Sequence, residues 1–218
     1  MKIHTVNQAN SVGPDIISQE SKHVLDQSSL SLLAILAISV LVNLSIRIDY
    51  LLLGTGLGEV SATESLQLVM LSITAWSFYR ISKQQQQLKH AALLISGFFA
   101  VLLIREMDYW LDMLRHGSWV YPALLITVLA CTQAYQGGKE TVNEMATLLQ
   151  TPYMKLLIGA VVLLLVFSRL YGMGSFWKQV MDVHYVREVK NISEEAIELL
   201  SYCLIALSAV RTQRELKQ

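Results

Sequence analysis

Arg105, Glu106, Asp108, Asp112, Arg115 and His116 crowd into one short stretch directly after the apolar run Ala91–Ile104. A membrane helix needs about 20 apolar residues to cross a hydrocarbon core, and this run has fourteen. The helix must therefore finish its crossing with ionisable groups in or at the edge of the membrane. Such groups are costly there and mark pathways, relays or binding sites. Arginine suits the capture of carboxylate or phosphate, because its planar fork donates two parallel hydrogen bonds. Carboxylates beside it can supply acid/base chemistry.

Helical rise puts further charges at the same level. At about 1.5 Å per residue, Arg105 stands about 22 Å from His90 and Arg169 about 21 Å from Lys155. By the same rise Glu64 lies about 24 Å from Arg80, and Glu198 about 20 Å from Arg211. Four charged residues from four segments thus fall in one slab, which Asp108 and Asp112 continue upward. At about 100° per residue, Arg105, Asp108, Asp112, Arg115 and His116 share one helical stripe, while Glu106 points toward a different neighbour. Glu64 and Gln67 share a face, as do Glu195 and Glu198. Glu64, Asp108 and Glu198 are the acid/base candidates, and Arg105, Arg169 and Gln67 the candidates for holding a ligand. The competing role is packing, with Arg105–Asp108 and Arg169–Glu198 as buried ion pairs that fix helix register.

A metal is the other chemistry these residues allow. Asp112 and His116 are four apart, and His184 falls on the same side of the membrane. Zinc, or a similar divalent metal, accepts histidine and carboxylate ligands and can activate a water for hydrolysis. The pattern lacks a His-x-x-x-His helix, and no serine or cysteine sits in a nucleophile elbow.

The elements that must position these groups follow from composition. The chain has 218 residues, 53% hydrophobic and 16% charged, where a globular protein carries about 25% charge. Seventeen basic and seventeen acidic residues cancel, so no basic surface for nucleic acid is expected. Cys131 and Cys203 lie in apolar segments and read as small core residues, outside any disulfide framework. Apolar windows at 29–47, 63–81, 90–112, 118–136, 154–172 and 194–211 predict six transmembrane helices. Pro122 falls in the first turn of the fourth, Thr151-Pro152 reads as the start of the fifth, and Asn191–Glu195 as the cap of the sixth. The fold class is an all-α polytopic membrane bundle. Residues 1–28 read as a polar tail without a secretory signal, 29–212 as one six-helix domain, and 213–218 as a short tail.

Lysine and arginine in the connecting segments set the orientation. Lys2, Lys22, Arg80, Lys83, Lys89, Lys139, Lys155, Arg211, Arg214 and Lys217 share one side, against Arg47, Arg115, Lys178, Arg187 and Lys190 on the other. Both termini are therefore predicted to be cytoplasmic, and the charged slab extracytoplasmic. Gly54-Thr55-Gly56-Leu57-Gly58 follows no strand of a βαβ unit and reads as a turn, not a phosphate loop.

The order Gly58-Glu59, Glu64-Ser65-Leu66-Gln67, apolar hairpin, Arg105-Glu106-x-Asp108 resembles small uncharacterised bacterial inner-membrane proteins. In outline these are similar to the ceramidase-like membrane hydrolases, which hold zinc within a helical bundle. The resemblance covers residues 58–116 and implies a bacterial inner-membrane location. The histidine pair of the hydrolases has no counterpart here, so no catalytic residue carries over.

The expected protein is a multi-pass inner-membrane protein with a charged pocket open to the extracytoplasmic side. That pocket would bind or process a small polar, anionic or lipid-head-group ligand, as a hydrolase or lipid-modifying enzyme if it catalyses. Membrane lipid, a second copy of the chain or a membrane protein are the expected partners. The alternatives are an ion-coupled transporter component and a structural or assembly subunit. Against a through-pathway, the cytoplasmic halves of the third and fifth windows are almost wholly apolar.

Overall fold

Helix is the conformation that lets an apolar segment satisfy its own backbone. The computed structural model describes residues 19–54, 57 and 60–217, and among these it has no strand. Helix α1 (Gln19–Arg47) runs into a π-helical turn at Ile48–Leu52. It is followed by α2 (Ala62–Gln84), α3 (Lys89–Glu106) and the single turn α4 (Asp108–Asp112). Next come α5 (Val120–Gly137) and α6 (Lys139–Gln150). Helix α7 (Met154–Val162) continues through a second π-helical turn, Leu163–Phe167, into α8 (Ser168–Gly172). The chain ends with α9 (Gly174–Met181) and the long α10 (Arg187–Glu215). Among the described residues three stretches are long and apolar enough to cross a membrane: Leu25–Leu52, Gln86–Glu106 and Met154–Gly172.

The chain divides into two compact units, 1–37 and 38–218. The described part of the first is the opening of α1, where Leu25, Leu30, Leu32, Leu33 and Leu36 are exposed. In the second, α3 packs against α2, α5 and α6, while α10 packs against α2, α7 and α8. Lipid is as apolar as leucine, so close approach and hydrogen bonds hold such helices together. Ser96 Oγ on α3 donates to the Ala75 carbonyl on α2 at 2.8 Å. Gly97 lets α3 meet α5, because a Cβ there would come within 2.5 Å of Ala130 Cβ. Phe78 and Phe99 stack in the core with ring centroids 6.2 Å apart. Val42 of α1 joins Leu199 and Cys203 of α10 in a second apolar cluster. Both cysteines are free.

A buried carboxylate joins the π-helical turn after α1 to the start of α2. Asp49 is fully buried. Its Oδ1 accepts from the Ala62 amide at 2.7 Å, and its Oδ2 from the Thr63 amide at 3.0 Å and the Thr63 hydroxyl at 2.6 Å. These are donors that the first turn of a helix leaves without intrahelical partners. A negative charge there also suits the helix dipole.

The structure adds α6 and α9 to the expected helices, and it departs from the sequence pattern at several helix ends. Gln19–Ser28, expected in the tail, are helical and belong to α1, since nothing in them breaks a helix; the rest of that tail lies outside the described residues. Helix α3 stops at Glu106, where the expected third helix ran to residue 112. The Met107 amide reaches back to both the Leu103 and Ile104 carbonyls, which tightens the last turn and ends the helix. Thr151 closes α6 instead of opening α7, its hydroxyl donating to the Leu148 carbonyl at 2.7 Å. Helix α10 starts at Arg187, so Asn191 and Ser193 lie inside it; the Ser193 hydroxyl donates back to Val189.

Candidate polar site where four helices meet

Four elements bring polar groups together: the start of α2, the end of α3, α8, and the first half of α10. On α2, Ser61 caps the helix by accepting the Glu64 amide at 3.1 Å, and Gln67 follows one turn later. Gln67 is only 1% exposed, and its Nε2 donates to Glu195 Oε2 at 2.7 Å. On α10, residues 195, 198 and 202 are spaced three and four apart, so they line one face. That face presents Glu195, Glu198 and Tyr202.

Tyr202 meets α3. Its hydroxyl donates to Glu106 Oε1 at 2.9 Å. Glu198, half-buried, interacts electrostatically with Glu195, Glu106, Glu194 and Arg105. Glu106 in turn feels Arg105, Asp108 and Arg169. Lys190 and Glu194 close an ion pair at 2.6 Å one turn earlier on α10. Gly172, the last residue of α8, lies against that pair, since a Cβ there would fall 2.1 Å from Glu194 Oε1.

No family model, curated protein or solved structure matches this chain. Its chemistry must be read from the geometry.

Of the residues singled out in the sequence, Gln67, Arg105, Arg169 and Glu198 lie in this neighbourhood. Asp108 sits at its rim, exposed and beyond the break at Met107. Glu64 is half-buried in the first turn of α2, three residues before Gln67. Among the described residues the close basic–acidic contacts include Lys190–Glu194 and, as ion pairs only when the ring is protonated, His90–Glu144 and His116–Asp112. The expected pairs Arg105–Asp108 and Arg169–Glu198 do not form. A turn at Met107 separates Asp108 from α3, and both Asp108 and Arg169 are exposed.

The three metal candidates separate. Asp112 Oδ1 accepts the Gly117 amide at 2.9 Å and its Oδ2 meets His116 Nδ1 at 3.1 Å. This closes the loop after α4, and the His116 ring is fully exposed. His184 stands in a separate exposed 3-10 turn, Asp182–His184. Among the described residues no three His, Cys, Asp or Glu side chains gather as a metal set, so Asp112, His116 and His184 do not form one.

Glu106 and Glu195, placed by their helix faces in the sequence but given no site role there, belong to the site, as does Tyr202, which the sequence did not single out. The signal for Glu195 and Tyr202 was the three-and-four spacing through Glu198. A phenol within an apolar helix carries no such mark until the facing carboxylate is placed.

Proposed function

We propose that this chain is a six-span membrane protein whose polar site binds a small ligand carrying both an anionic and an ammonium group, as a zwitterionic lipid head group does. The observation that carries the reading is the pair Arg105 and Glu198. Both are half-buried and interact electrostatically, yet they do not close to an ion pair. Two groups kept only to fix helix register would close on each other directly, which this pair does not. Arg105, with Arg169 nearby, offers guanidinium forks for a phosphate. Glu198 offers a carboxylate for the ammonium, and the acid/base group if the head group is processed. The predicted orientation opens this site to the extracytoplasmic face of a bacterial inner membrane.

An assembly role is the second reading. It is favoured by the other acids of the cluster, since Glu194, Glu195 and Glu106 are held by Lys190, Gln67 and Tyr202 respectively.

Native mass spectrometry of the detergent-purified protein with phosphatidylethanolamine and phosphatidylglycerol distinguishes the two. Wild type should retain phosphatidylethanolamine preferentially. Arg105→Ala and Glu198→Gln should each weaken retention by about tenfold or more, the loss of one charge-assisted contact, with expression and melting temperature unchanged. Equal retention by all three proteins would sink the binding reading. Collapse of expression in both variants would favour the assembly role.

A further inference from the structure

At the opposite end of α3, about 24 Å from Glu106 by helical rise, a cavity of about 360 Å³ lies between the start of that helix and α6. The lining contains no lysine, arginine or apolar side chain. Gln86, Gln87 and His90 come from one wall, Glu140, Asn143 and Thr147 from the other, and Glu144 stands with them.

The histidine is held from two directions. Glu144 is 7% exposed, and both of its oxygens are engaged. Oε2 accepts the Ala91 amide at 2.8 Å, and Oε1 meets His90 Nδ1 at 2.9 Å. An ionised carboxylate only accepts hydrogen bonds, so Nδ1 carries the proton of that contact. In the neutral ring Nε2 is then an acceptor. Behind the imidazole, Gly137 leaves the space the ring needs: a Cβ there would come within 2.6 Å of His90 Cγ.

We infer that this cavity is a second binding site, taking a small organic cation that presents N–H donors, such as a primary ammonium. The Glu140 carboxylate and the amide and hydroxyl oxygens of the walls are acceptors, His90 Nε2 joins them when the ring is neutral, and no lysine or arginine competes for them. Among the described residues no three-ligand metal set exists, which favours an organic cation over a bare metal ion. The volume falls within the range of small-molecule sites. The inference stands apart from the head-group reading, because it uses other residues at the other end of α3.

The test is a titration of the detergent-solubilised full chain with n-butylammonium chloride, using tetramethylammonium and sodium chloride as controls. The readout is the imidazole nitrogen signals of protein labelled in histidine, with His90 assigned by its loss in His90→Gln. Butylammonium should shift the His90 signals saturably, whereas tetramethylammonium, which has no N–H, should not. Glu140→Gln, at an exposed position that leaves folding intact, should weaken binding about tenfold. No His90 shift, an equal shift with tetramethylammonium, or unchanged affinity in Glu140→Gln would each overturn the inference.

Discussion

The Tyr202 hydroxyl donates to Glu106 Oε1 at 2.9 Å, tying the middle of α10 to the last residue of α3. Tyr202 is 2% exposed, so water does not stand in for it. Tyr202→Phe should therefore cost about 1.5–3 kcal/mol, the range for hydrogen bonds to charged groups. Glu106→Gln should cost less, because an amide oxygen still accepts from the phenol. Thermal unfolding in detergent micelles reads both, and an unchanged melting temperature in Tyr202→Phe would show that the contact does not bear on stability.

Asp49 links the π-helical turn after α1 to the first turn of α2 through three hydrogen bonds. Asp49→Ala leaves two amides and a hydroxyl without their acceptor and should destabilise by about 2–4 kcal/mol. Asp49→Asn keeps one acceptor oxygen and should lie between wild type and alanine. The same melting measurement checks the ranking; an asparagine variant worse than alanine would contradict it.

Gly172 leaves room for the Glu194 carboxylate, which Lys190 holds at 2.6 Å. Gly172→Ala should force that carboxylate away and cost about 1–3 kcal/mol, as overpacking does. In a Glu194→Ala background the same substitution should be nearly neutral. A double-mutant cycle in melting temperature measures this coupling. Additive losses would mean that Gly172 matters for its backbone alone.

Orientation is open to a labelling experiment. In a Cys131→Ala, Cys203→Ala background, His116→Cys should react with an impermeant maleimide added to intact cells. Lys139→Cys should react only after permeabilisation, because α5 is predicted to cross between them. The reverse pattern would invert the membrane topology, and labelling of both from outside would remove α5 as a crossing.

Rise per residue is a constant of the α-helix, which is why residues as far apart in sequence as Glu64, Arg105, Arg169 and Glu198 could be assigned a common level without coordinates. Helix existence was equally legible, because apolar runs of this length leave the backbone few other choices. Helix ends were harder. Residues 108–112 continue the α-helical spacing past Glu106, and nothing in that pattern marks the tightened turn at Met107. Helix α6 escaped notice because half of it is polar, although Thr141, Glu144 and Leu148 line a buried face at the spacing of three and four. Asp49 was not singled out in the sequence, because its partners, Ala62 and Thr63, lie across a turn that spacing cannot fold.

The π-helical turn at Leu163–Phe167 stands immediately before Ser168 and Arg169. A π turn fits one more residue into its loop than ordinary winding does. Removing one of these five residues and restoring regular winding would leave Arg169 pointing nearly as before, because five residues in a π turn cover about the same rotation as four in an α-helix. Their apolar side chains could be exchanged for one another with little effect on where the guanidinium points. This segment is therefore where the helix could lose one residue and still aim the same cation, whereas the same deletion in the regular winding of α7 would turn everything beyond it by about 100°.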